Sequence, residues 1–475
     1  MEQEKSDGPQ YSERGKAAYM GKGSRLNRPQ EGNVMDTNRV TYDTTTKLER
    51  IAWLSSRNPS KSFGNLMHLF NEQSLRECFH MLDGRKAVGT DGIRKDDYEL
   101  KLEANIASLT NRLKEMSYRP SPARQVMIPK DTKGSFRPLG ISNLEDKIIQ
   151  KMLARVLDAV FDPIFLESSY GFRKGKGCHD AIRDLYQYLF TQRVESVVDV
   201  DIENFFGSID HRVLLDAVKQ KIADETLQRY LSRMLKAGTL IDGDLKVSDE
   251  GTPQGSIASP ILANIFAHFV LDEWFESTVK QHCKGKVAMF RYADDFVICC
   301  EMKSDSERIL RALANRLAKY GMKVSEKKTK LVNFSKRQAS QGIRQDTFDF
   351  LGFTFYLGKS QKGNFTPRVK TSSKRMRSKL RKLKEWLKTN RSKFTLDEIW
   401  KRLKLGLQGH FNYFGVTFNL NPMQNFAQRS SNLVFKWINR RSQRRSMDWT
   451  KFTRYMNANP LPAPRIIHSL FQTNS

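Results

Sequence analysis

Two hydrophobic periods divide the chain. The β-branched run Ser196-Val197-Val198-Asp199-Val200-Asp201-Ile202 reads as a strand whose period of two sets Asp199 and Asp201 on one side. Short apolar runs from Val287 to Phe290 and from Phe296 to Cys300 flank Tyr292-Ala293-Asp294-Asp295, predicting a hairpin with two adjacent carboxylates at its turn. Helical patterning is expected near Ser60 to Leu82, Leu100 to Met116, Asp146 to Phe161, Arg212 to Lys236 and Ser304 to Tyr320, with a strand from Val126 to Pro129 before a basic turn. The most apolar stretch, Ile257 to Phe275, is interrupted by Pro260, Asn264, His268 and Asp272, so it reads as a buried helix and not a membrane span. Farther on, Met376, Leu380, Leu383 and Leu387 recur at helical spacing, Thr395 and Glu398 form a capping box ahead of Trp400, Leu403 and Leu407, and a third basic helix includes Phe435 to Arg441. Three segments result: a flexible polar stretch over residues 1–40, a mixed α/β body over 41–360 and an all-α region over 361–475.

Charge changes this picture more than bulk composition does. Hydrophobic residues make up 39% of the 475, enough for packed cores, which excludes global disorder. Five cysteines without CxxC spacing exclude a zinc ribbon or a disulfide framework and fit a reducing compartment. No apolar or amphipathic leader opens the chain, so a cytoplasmic protein with no membrane partner is expected. Of 81 Lys and Arg and 52 Asp and Glu, 26 and four respectively fall from Leu351 onward, so +22 of the +29 net charge sits in the last quarter. Such a surface attracts a polyanion, although a solvated basic face or a tail on anionic lipid has the same composition.

The carboxylates at the hairpin carry the candidate chemistry. Unpaired acids are costly among buried strands, and a divalent cation would neutralise them. Two such ions clamp the attacking and leaving oxygens of a phosphoryl transfer. One turn cannot surround two cations, and the strand ending at Asp201 supplies another carboxylate. A charged hairpin tip and a strand with a polar edge are the plainer alternatives.

Eight blocks follow in order: Gly89-Thr90-Asp91-Gly92; Ile128-Pro129-Lys130 with Arg137-Pro138-Leu139-Gly140; Tyr170-Gly171-Phe172-Arg173; Asp201-Ile202-Glu203-Asn204-Phe205-Phe206; Gly251-Thr252-Pro253-Gln254-Gly255; Tyr292-Ala293-Asp294-Asp295; Lys328-Thr329; Phe350-Leu351-Gly352-Phe353. In this order, from about residue 50 to 470, the chain resembles a group II intron reverse transcriptase, the intron-encoded maturase. The resemblance implies an α/β (α+β) right-hand polymerase fold: fingers, a palm with a mixed, mainly antiparallel sheet, and an all-α basic thumb, also called the X or maturase domain. It implies that Asp201 and Asp294 hold two Mg2+ ions, which Mn2+ can replace, with Asp295 beside them and the Ile202 carbonyl as a further ligand. Lys130 and Arg137, seven apart around a Gly-containing turn, would face the triphosphate. Phe206 would be the gate against a ribose 2′-hydroxyl, Gln254 would line the nucleotide pocket, and Lys328 would protonate pyrophosphate or balance charge.

The same resemblance makes Leu351, Gly352 and Phe353 a primer grip. It places Arg173, Lys174 and Lys176 on a template-side loop, and Arg377, Arg381 and Lys384 on an RNA-binding surface. The implied partners are structured intron RNA, an RNA template with a DNA primer, dNTPs and target DNA, in a bacterial cytoplasm rather than an organelle. With no Cys beyond Cys300, a C-terminal endonuclease is not expected. A retron or phage-defence reverse transcriptase, or a splicing cofactor with a dead polymerase site, are the rival readings.

Overall fold

Alternation of apolar side chains builds the centre of the protein, and helices cover what it leaves exposed. The computed structural model describes residues 44–129, 136–241, 243–252, 255–441 and 447–471. Helices α1 (Thr44–Arg57), α2 (Glu72–His80), α3 (Lys95–Glu99) and α4 (Leu102–Lys114) precede strands β1 (Ala123–Pro129) and β2 (Phe136–Ile141) and the buried helix α5 (Leu144–Phe161). Helix α6 (Cys178–Thr191) leads into β3 (Ser196–Asp201), followed by α7 (His211–Lys219), α8 (Glu225–Leu235), β4 (Thr239–Ile241) and β5 (Asp244–Lys246). Helix α9 (Ser259–Ala267) continues through two π turns into α10 (Lys280–His282), then the hairpin β6 (Val287–Tyr292) and β7 (Asp295–Cys300). After α11 (Lys303–Ala318), β8 (Lys330–Asn333) and α12 (Lys336–Ser340) come β9 (Phe348–Phe350), β10 (Phe353–Lys359) and β11 (Phe365–Thr371). The chain closes with α13 (Ser373–Asn390), α14 (Leu396–Phe414), α15 (Leu420–Ile438) and α16 (Trp449–Ala458).

The palm sheet has the order β6-β7-β3-β8, antiparallel throughout. Period-two alternation gives it two buried faces. Val198, Val200, Phe296, Ile298 and Met289 pack into one core with α5 and α9. Val197, Val297, Cys299 and Phe290 pack into a second core with α6, β9–β11 and the C-terminal helices. On that second face the apolar positions of β3 give way to Asp199 and Asp201, so the carboxylates stand where the core opens. The fingers sheet, β2-β1-β4-β5, joins an antiparallel hairpin to a parallel contact between β1 and β4, and β11-β10-β9 form a third sheet. Among the described residues no helix is long and apolar enough to cross a membrane.

Two expectations are corrected. The helix expected from Ser60 to Leu82 is only α2, preceded by a 3-10 turn at Met67–Leu69. Upstream of it the chain is pinned by tertiary bonds: Phe63 N donates to Lys221 O, and the Asp224 carboxylate accepts from Leu66 N at 2.5 Å and Met67 N at 2.9 Å. The boundary at 360 also fails. Strands β10 and β11 pair from Phe353↔Thr371 to Lys359↔Phe365, so one hairpin spans it and the helical region begins at Ser373. The expected segment 1–40 lies outside the described residues.

Candidate active site

Asp201 ends β3 and Asp295 starts β7, and the two are direct cross-strand partners. Asp294 occupies the turn, entered through Ala293 at φ +58°. The backbone of Asp201 is fixed by the Lys328-Thr329 block: Ser325 N donates to Asp201 O at 2.8 Å, and Asp201 N donates to Thr329 Oγ1 at 3.2 Å. Burial raises the Asp294 carboxyl, with Asp201 adding to the shift while Arg137 and Lys328 oppose it. Burial likewise pushes Asp295 up to about 7, with Asp294 the next contributor, and Asp199 to about 7, with Asp295 the next contributor.

This crowding calls for a cation, and Lys328 stands in for one, its Nζ 2.8 Å from Asp201 Oδ1. Among the described residues no three His, Cys, Asp or Glu side chains converge to hold a metal by themselves. A hard divalent cation of the Mg2+ kind is bound by one or two carboxylates and completed by substrate phosphates. Asp201, Asp294 and the Ile202 carbonyl at the end of the same strand are the oxygens available to it, and Ile202 itself is anchored by a bridge to Val324.

Behind the turn lies a residue that the sequence did not single out. Arg291 is 1% exposed. Its Nε and one Nη grip Asp272 at 2.7 and 2.5 Å, and its remaining Nη hydrogens reach Ser169 Oγ at 2.8 Å, Asn264 Oδ1 at 3.2 Å and the Ala293 carbonyl at 3.1 Å. One guanidinium thus ties the Asp294 turn to helix α9 and to the loop before Phe172. Asn264 completes the tie by donating to Gly171 O at 2.7 Å. A Cβ at Gly171 would stand 2.5 Å from Ala293 N, so only glycine fits there. Straight α-helical spacing would turn Asp272 about 80° away from Asn264, and the π turn at His268–Asp272 brings both to Arg291. The signal was present in the sequence: polar residues at intervals of four in its most apolar stretch. His268, between them, is pushed down to about 4 by burial and stays neutral.

On the nucleotide side the structure separates the two phenylalanines. Phe205 is buried against Phe266, whereas Phe206 is half-buried with its ring edge-on to Phe205 at 5.5 Å. Thr252 N donates to Phe206 O at 2.9 Å, and Gly255, at φ +113°, passes so close to Gly140 O that a Cβ would stand 2.5 Å from it. Thr252 is therefore held at Phe206 and Gly255 at the fingers strand β2. Arg137 is exposed on β2 and near enough to act on Asp294. Lys130 and Gln254 lie outside the described residues.

The Leu351-Gly352 turn has both residues in the left-handed region, at φ +50° and +82°, and Phe353 is buried against Tyr413 and Phe414. The Leu351 amide lowers the Asp295 carboxyl against the larger effect of burial, which sets this turn beside the β6–β7 hairpin.

The basic residues divide sharply. Arg173 is corrected: its guanidinium is buried, paired with Asp162 at 2.6 Å and donating to the carbonyls of Leu166, Ser169 and Asp162. Segment 168–170 pairs with β6 through Ser168 O, Arg291 and Tyr170 N, so this block braces the hairpin. Lys176 is held by Glu167 at 2.6 Å and lies over the Tyr170 ring, while Lys174 is exposed. Arg377, Arg381 and Lys384 stand exposed along α13. Arg381 and Lys384 line a groove of about 430 Å³ whose other wall carries Arg429 and Lys436 of α15.

Carboxylates on neighbouring palm strands, with basic groups converging from the fingers and from the loop before β8, define a nucleotidyl-transfer site of the polymerase class. Residues 128–355 match the family described as reverse transcriptase (RNA-dependent DNA polymerase). The chain is 30% identical over 281 residues to protein YkfC of Escherichia coli K12, covering 52% of this chain and 74% of that protein. It is 33% identical over 226 residues to the group II intron-encoded protein LtrA of Lactococcus lactis, covering 47% and 37%. It is 27% identical over 348 residues to the putative COX1/OXI3 intron 1 protein of Saccharomyces cerevisiae, covering 62% and 41%. The chain belongs to the reverse transcriptase family, and intron-encoded proteins are among its relatives. It spans about three quarters of YkfC but less than half the length of the other two.

Proposed function

We propose that the protein is an RNA-directed DNA polymerase that copies its intron RNA into cDNA at target DNA and binds the same RNA to assist splicing. The observation that carries this reading is the convergence of Asp201, Asp294, Arg137 and Lys328 at the open end of the palm. Two Mg2+ ions, or Mn2+ in their place, would supply charge neutralisation at the attacking and leaving oxygens. The other tasks fall to the chain itself. Asp201 and Asp294 present their oxygens from fixed backbone, and Arg137 with Lys130 grips the dNTP triphosphate. Lys328 holds charge balance at Asp201 before substrate arrives, and Gln254 lines the pocket. Phe206 presents a ring under the sugar that a 2′-hydroxyl would strike. Leu351, Gly352 and Phe353 seat the primer end, and the exposed bases of α13 take the RNA. The bacterial relatives support a cytoplasmic setting.

Primer extension with Mg2+ and dNTPs on an RNA template tests this reading. Wild type is expected to make cDNA and Asp294→Ala none; no cDNA from wild type, or equal product from both, removes the metal-site assignment. Phe206→Val should raise ribonucleotide incorporation, and unchanged sugar discrimination would remove the gate.

A further inference from the structure

Tyr413, in the last turn of α14, reaches out of the helical region into the palm. Its hydroxyl donates to the Leu351 carbonyl at 2.8 Å. Its own carbonyl meets His179 Nε2 at 2.8 Å, at the start of α6. Its ring stacks on Phe353 at 5.7 Å between centroids and lies 5.3 Å from the His179 ring. The residue is therefore fixed at its backbone, its ring and its hydroxyl, between α6 on one side and the turn from β9 to β10 on the other.

The other end of the contact is strained. Leu351 holds φ +50°, a region that a non-glycine residue keeps only when its surroundings over-determine it. Here they do: the Leu351 carbonyl takes the Tyr413 hydroxyl, and Ser372 N donates to Gly352 O at 3.0 Å. The turn is gripped from α14 and from the start of α13. A ring alone would fill the space, as Phe411 and Phe414 do nearby, so the hydroxyl adds the bond to Leu351 and not the packing. Burial raises the phenol, which keeps its proton and donates throughout the working range.

We propose that Tyr413 is a positioning residue that locks the Leu351-Gly352 turn to the thumb, so that thumb placement on a bound duplex sets where the primer 3′ end lies relative to Asp201 and Asp294. This rests on the reverse transcriptase reading and on the primer-grip assignment of that turn.

The test is single-turnover addition of one dNTP to a preformed complex with a DNA primer on an RNA template, comparing wild type, Tyr413→Phe and Asp294→Ala. Tyr413→Phe keeps the ring stack. It should retain the wild-type Tm and bind the duplex within about twofold, while nucleotide addition slows about three- to tenfold, the worth of one neutral hydrogen bond. Extension of a primer with a mismatched 3′ end should fall less than matched extension, because the terminus is no longer held in register. A wild-type rate in Tyr413→Phe overturns the proposal. So does a slower rate that merely follows a loss of Tm or duplex affinity, since that marks a structural role. If wild type itself adds no nucleotide, the underlying reading fails instead, and the proposal falls with it.

Discussion

The palm and the thumb use arginine in opposite ways. Arg291 is 1% exposed, with all five N–H donors committed to Asp272, Asn264, Ser169 and Ala293. Arg377, Arg381 and Lys384 stand exposed along one helix. A guanidinium buried with a matched carboxylate fixes geometry, and losing one partner leaves an uncompensated charge. Exposed cations fix little, but together they attract a polyanion and release its counterions. A buried, paired guanidinium of this kind holds geometry, whereas exposed cations of this kind supply attraction for a polyanion.

Four perturbations sharpen that contrast, taken from the largest effect down. Asp294→Ala should lower extension by roughly a thousandfold or more, in line with several kcal/mol of lost charge stabilisation, with duplex binding retained in a filter or fluorescence assay. Arg291→Lys cannot span all five contacts, and a shift of the catalytic turn should cost up to about a hundredfold in kcat with little change in duplex Kd. If its Kd changes instead, Arg291 belongs with the affinity residues and the contrast breaks. Neutralising Arg377, Arg381 and Lys384 together should weaken RNA binding and flatten its dependence on log salt by about two to three, with kcat at saturating RNA unchanged. An unaltered slope would return these residues to a solvated face.

The smallest effect concerns pH. Asp199 and Asp295 titrate near 7 in the folded protein because burial disfavours their anions, against an ordinary value of 3.8. Between these values the folded state holds more protons than the unfolded one, so metal-free stability falls as pH rises through that window. Asp295→Asn should raise the metal-free Tm at pH 8 by about 2 to 4 °C relative to wild type and do so less at pH 4. Equal effects at both pH values would mean that Asp295 is not charged at the cost of burial. Added Mg2+ should stabilise wild type more at pH 8 than at pH 5.

Much of the site was legible because its signals are local. The strand ending at Asp201 and the hairpin at Asp294 follow from a period of two. Capping at Thr395 follows from Glu398 three residues on, and both Glu398 N and Thr395 N complete that box. Other features were hidden because their causes are distant in sequence. Residues 58–66 follow the loop at Lys221 and Asp224, not their own propensity. The Phe353–Thr371 pairing overrides the charge change near 360. Arg173 reads as basic in any sequence, and only the carbonyls of Asp162, Leu166 and Ser169 around it show that it braces a loop.

The amino-acid sequence by itself determined the alternating palm strands, the pair of acidic positions, the amphipathic basic helices and the order of blocks along the chain, because spacing and side-chain type act over a few residues. Only the tertiary structure decided which charges are buried and which are exposed. It placed Arg291 under the catalytic turn, put Tyr413 against Leu351 and kept Arg173 inside, because those outcomes depend on segments that meet only after the chain has folded around two cores.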